Sequence, residues 1–97
     1  MTDLKLRSIG DDDYSVIREG RDIGRIRATY HHVKQAQEWS WGITVPLPMG
    51  AWSRGSAESL DAAKEAFRTA WETFYSNLTP EQIARWHRTQ DARKADS

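Results

Sequence analysis

The side chains in this sequence that could do chemistry are few, and their spacing does not suit it. Asp11, Asp12 and Asp13 offer carboxylate oxygens to a divalent cation, but a calcium loop spaces its ligands alternately and closes with a distal glutamate. The run therefore reads as a solvated turn. His31 and His32 are adjacent, and in an extended chain neighbouring side chains point apart, so the pair shares no face for a metal. Asp61 and Glu65 lie one helical turn apart, the ordinary arrangement on a solvent face. Ser40, Ser53, Ser56 and Ser59 sit in no GxSxG elbow, and the glycines form neither GxxxxGK nor GxGxxG. With no cysteine there is no thiolate nucleophile, disulfide or zinc site of the cysteine type. The expectation is a protein that is not an enzyme and uses no cofactor and no metal.

Two other groups of residues remain. Arg18, Arg25 and Arg27 fall in β-rich sequence, and Arg25 and Arg27 alternate with Ile26 and Ala28, which places them on the solvent side of a strand as candidate nucleic-acid contacts. Met49, Trp52 and Trp86 are large apolar residues that the core does not clearly require, Trp86 lying with Ile83 and His87 in an apolar stripe too narrow to fold alone, which makes them candidate protein contacts.

The elements that position these residues follow from hydrophobic periodicity. Leu60, Ala63, Phe67, Ala70, Trp71, Phe74 and Leu78 recur every three or four residues, and Ser59 precedes them as an N-cap, so a long amphipathic helix fills 59–78. Its floor is the strand Trp39 to Val45, in which Trp39, Trp41, Ile43 and Val45 alternate with Ser40, Gly42 and Thr44. Leu4 to Arg7, Tyr14 to Arg18 and Ile23 to Tyr30 supply further strands, the last two joined by a hairpin turn at Glu19 to Asp22. The segment from Pro46 through Ser56 reads as a loop, with Trp52 folded back over a sheet edge or helix end. Thr79, Pro80 and Gln82 carry the signature of a capping box and start a short second helix that ends near Gln90. The expected fold is α+β: a three- or four-stranded antiparallel sheet, a long helix on one face and a short C-terminal helix, in a single domain over 1–90 with a disordered polar tail at 91–97.

Composition narrows the partners. The 97 residues carry 14 Lys and Arg against 14 Asp and Glu, a neutral balance that argues against a dedicated polyanion binder while allowing a local patch. Neither a signal-peptide pattern nor an apolar run of membrane-spanning length is present, so the expected location is cytoplasmic, with no membrane partner.

The runs IGDDDYSV, GRDIGRI and WSWGITVPLP, with SLDAAKEAFRTAW leading to TPEQIARW, resemble a family of short bacterial, proteobacterial proteins of unknown function over about Leu6 to Trp86. That resemblance implies no activity and no site residue. In topology, antiparallel strands followed by a helix of the SLDAAKEAF type resemble the sheet-reading DNA-binding domains of plant AP2 factors and phage integrase amino-terminal arms. This second resemblance implies that the sheet face away from the helix meets the major groove. The two functional expectations are a small non-catalytic module that binds a protein partner or itself through Met49, Trp52 and Trp86, and alternatively a nucleic-acid-binding sheet face bearing Arg18, Arg25 and Arg27.

Overall fold

The computed structural model describes residues 4–31, 33 and 35–95. Met1 to Asp3, His32 and Lys34 in the loop expected after Tyr30, and Asp96 and Ser97 of the expected tail lie outside the described residues. The chain forms β1 (Lys5–Gly10), β2 (Asp13–Arg18), β3 (Arg21–His31), β4 (Ala36–Ile43), one 3₁₀ turn (Ala51–Ser53), β5 (Arg54–Ala57), α1 (Leu60–Ser76) and α2 (Pro80–Ala95). The strands build one antiparallel sheet in the order β1-β2-β3-β4-β5, so each strand pairs with its neighbours in sequence.

The architecture is α+β as expected, but the sheet has five strands where three or four were expected. The additional strand, β5, occupies Arg-Gly-Ser-Ala, a composition with no strand propensity. Tertiary packing overrides that propensity. Trp39 and Trp41 of β4 stand opposite Ala57 and Gly55, and the Trp41 indole lies so close over Gly55 that a Cβ there would meet the ring at 3.0 Å.

Strand alternation divides the sheet into two faces. Tyr14, Val16, Gly24, Ile26, Trp41 and Ile43 belong to the inner face, over which α1 runs and buries Ala63, Phe67, Trp71 and Phe74. Trp41 meets Phe67 edge-on at 6.2 Å. Gly24 is what lets α1 approach: a Cβ there would sit well inside contact distance of the Phe67 ring and the Gly42 carbonyl. The β2–β3 hairpin turns through Glu19 (φ 50°) and Gly20 (φ 78°), the paired left-handed conformation that matches the twist of the flanking strands.

Both helices start at the expected caps. The Ser59 hydroxyl accepts from the Ala62 N–H at 3.1 Å. At α2 the Gln82 N–H donates to Thr79 Oγ1 at 3.1 Å while the Thr79 N–H donates to Gln82 Oε1 at 2.9 Å, a reciprocal capping box. The second helix continues to Ala95 instead of ending near Gln90. Its C-terminal half is tied down: Gln90 Oε1 accepts from Trp86 Nε1 (3.2 Å) and Arg21 Nη1 (3.2 Å), Gln90 Nε2 donates to the Asp22 carbonyl (2.7 Å), and Arg21 pairs with Asp91 at 2.9 Å. Among the described residues, no helix is long and apolar enough to cross a membrane.

Candidate polyanion-binding sheet face

The outer face of the sheet lies away from α1, and one of its rows is built from arginines separated by very small residues. Reading the register across the sheet, Arg7 stands opposite Ser15, Ser15 opposite Arg25, Arg25 opposite Gly42, and Gly42 opposite Arg54. One row thus crosses all five strands, with arginine on β1, β3 and β5 and serine or glycine between. With about 4.8 Å between neighbouring strands, successive arginines in the row are rooted about 10 Å apart. The next row runs Asp13, Arg27, Ser40, Ser56.

The small residues form a floor. Arg25, Arg27, Ser40, Trp41 and Gly42 line a shallow dish of about 220 Å³ along β4, with Arg54 rooted on its far side. Ser15 is buried although no helix covers it, because its cross-strand neighbours are the long side chains Arg7 and Arg25.

The arginines differ in their partners. Arg25 donates from Nε to Asp13 Oδ1 at 2.8 Å and from Nη2 to Oδ2, a side-on fork. That hydrogen bond holds the Asp13 carboxyl below its ordinary pKa and raises that of Arg25. Arg7, Arg27 and Arg54 are exposed and make no ion pair among the described residues. In all, the strand positions of this face hold Lys5, Arg7, Arg25, Arg27 and Arg54 against Asp13, Asp22 and Glu38. The chain is neutral, yet this face has a cationic excess.

The sequence-derived candidates separate in space. Arg25 and Arg27 lie side by side on the outer face, as alternation requires. Arg18 does not join them. It shares the parity of Tyr14 and Val16, and its guanidinium lies 4.3 Å over the Tyr75 ring and 6.0 Å from Trp71, on the helix side. Arg7 and Arg54 take its place in the row. Their alignment depends on cross-strand register, and Arg54 belongs to a strand that composition concealed.

Among the protein-contact candidates, Trp86 is corrected outright. It is 1% exposed, stacks edge-on against Trp71 at 5.7 Å and spends its N–H on Gln90, so it is core. The turn between the helices returns α2 onto the end of the α1 stripe, which finds Trp86 a buried place. Trp52 is 49% exposed, with one side of its ring folded over Gly50 and against Phe74 at 5.8 Å. Met49 is partly buried against the core. The two are close in sequence but form no broad apolar patch with Trp86.

Asp11 and Asp12 form the turn between β1 and β2, whereas Asp13 belongs to β2 and to the Arg25 pair. No group of three or more metal-ligating side chains occurs among the described residues. No family model, curated protein or solved structure matches the chain.

Proposed function

We propose that the protein is a small, non-catalytic nucleic-acid-binding domain that lays the outer face of its sheet on a phosphodiester backbone. The observation that carries this reading is the row Arg7, Ser15, Arg25, Gly42, Arg54, which spans the sheet from edge to edge. Long cations rooted about 10 Å apart over a floor of serine and glycine let a polyanion approach the backbone closely while several phosphates find a guanidinium. A solvated antiparallel face needs polar residues only. It does not need arginine on alternate strands of one row.

The test is fluorescence anisotropy with a labelled random duplex at increasing salt. Arg7, Arg27 and Arg54, which make no ion pair among the described residues, give a slope of log affinity against log salt of about −3, and Arg27→Ala flattens it by about one unit. Absence of binding at about 50 mM salt would overturn the proposal.

The half-exposed indole of Trp52 favours a second reading, contact with a protein partner or a second copy through the Pro46 to Trp52 loop. Concentration-dependent line broadening confined to that loop, with none on β3 and β4, would select it over the first.

A further inference from the structure

We infer that the nucleic acid taken by this face is duplex DNA and that Arg25, held by Asp13, is its base-reading residue, whereas Arg7, Arg27 and Arg54 grip phosphates. The inference rests on the reading above and names its substrate and division of labour.

The asymmetry among the arginines is the starting point. The Asp13 fork engages Nε and Nη2 of Arg25, which fixes the guanidinium plane before any ligand arrives. Nη1 has no partner among the described residues and the Arg25 side chain is 49% exposed, so the Nη1/Nη2 edge keeps donors that no described acceptor uses, on a guanidinium plane that Asp13 holds. A phosphate brought to that edge would meet the Asp13 carboxylate beside it and be repelled. A neutral acceptor pair carries no such penalty, and guanine O6 and N7 in a major groove form such a pair with the spacing of a guanidinium edge. Pre-ordering the arginine also removes the side-chain entropy that a free arginine loses on binding. Arg7 and Arg54 have the opposite character, exposed and without an ion pair among the described residues, which suits phosphate. Arg27 stands opposite Asp13 in the register but makes no hydrogen bond to it among the described residues, so its guanidinium is not fixed and can turn to a phosphate.

The floor and the absence of a stacking platform identify the form of the nucleic acid. Ser40 and Gly42 beside Arg25 leave the dish shallow enough for a base edge to come down to the guanidinium. Single strands are held by aromatic side chains on which splayed bases stack. Here the strand aromatics Tyr14, Trp39 and Trp41, and the exposed Tyr30 near the end of β3, have the parity of the inner face. Trp41 borders the dish but its ring meets Phe67 on the helix side, and among the described residues no aromatic occupies the outer register positions around Arg25. The major groove of duplex RNA is too narrow and deep for side chains to read, so the base contact requires B-form DNA.

Selection of bound duplexes from a randomised DNA pool, followed by anisotropy competition between the selected duplex and a scrambled one, tests the assignment. The wild-type chain should prefer the selected, guanine-containing duplex on the order of 10-fold, the discrimination of one bidentate base contact. Arg25→Lys, which keeps the charge, should abolish that preference. Asp13→Asn should bind the scrambled duplex as tightly as wild type or more tightly, since a carboxylate is gone, yet lose the preference. Arg27→Ala should weaken both duplexes equally and keep the ratio. Salt-sensitive binding with no preference, a preference that survives both Arg25→Lys and Asp13→Asn, or stronger competition by single-stranded DNA or duplex RNA would each overturn the inference while leaving the polyanion-binding reading intact. No salt-sensitive binding of any nucleic acid would remove that reading itself. Circular dichroism of the variants shows that the fold is retained, which exposed positions on this face permit.

Discussion

The two faces of the sheet are made by the same strands, residue against residue, and obey different constraints. On the inner face, among the buried Ile26 and Ile43, the Phe67 ring meets Trp41 edge-on and passes so close to Gly24 that a single added carbon there collides with it. On the outer face Arg25, Arg27, Ser40 and Arg54 occupy the register positions turned away from the face that α1 covers. The comparison teaches where function can be sought. A face that the core does not specify is free to be specified by a ligand, and an organised pattern on it calls for an explanation beyond solubility.

The contrast can be broken first at its strongest point. Trp71 is fully buried among Phe74, Tyr75 and Trp86, so Trp71→Ala should destabilise by about 3 to 5 kcal/mol in chemical denaturation. An unchanged midpoint would show that α1 is not what holds the inner face. Gly24→Ala should cost about 1 to 3 kcal/mol by overpacking, because Phe67 must move before the new methyl fits. If calorimetry found this variant as stable as wild type, the close approach of α1 to β3 would be wrong.

Smaller effects sharpen the comparison at its margins. Thr79→Ala removes one side of the capping box and should cost about 1 kcal/mol, read as faster amide exchange from Gln82 to Trp86. His87 stacks on Trp86 at 4.6 Å, and burial, reinforced by the nearby Arg21, lowers its pKa below the ordinary 6.5. The unfolded chain then takes up the proton first as pH falls. The stability associated with neutral His87 is full above about 6.5 and lost as pH drops through the depressed folded value. His87→Gln should flatten that part of the profile of melting temperature against pH. On the outer face, Arg54→Ala should change stability by less than about 0.5 kcal/mol, and a larger loss would mean that β5 depends on its arginine.

Much of the inner face was legible in the sequence, and the reason is that its signals are local. Period-two alternation in Trp39 to Val45, the three-and-four spacing from Leu60 to Phe74, and the caps at Ser59 and Thr79 each arise within a few residues, and each reappears in the fold. Alternation also sufficed to put Arg25 and Arg27 together and away from α1. The same parity argument, applied to Arg18, would have assigned it to the helix side beside Tyr14 and Val16.

What the tertiary structure alone decided is which distant residues stand next to one another. Arg7, Arg25 and Arg54 are 18 and 29 positions apart in sequence, and only the register of four successive strand pairings brings them into one row. The fifth strand pairs along β4 with Ala57 opposite Trp39 and with Gly55 close under the Trp41 indole, where a larger residue would collide, a requirement that the composition of Arg54–Ala57 does not announce. Trp86 became core because the turn after α1 folds α2 back onto Trp71, with Gln90 meeting the indole N–H. Local pattern determines the face on which a side chain lies, since that depends on the geometry of its own strand or helix. Its neighbours across the sheet depend on loop closure and register, which belong to the folded chain as a whole.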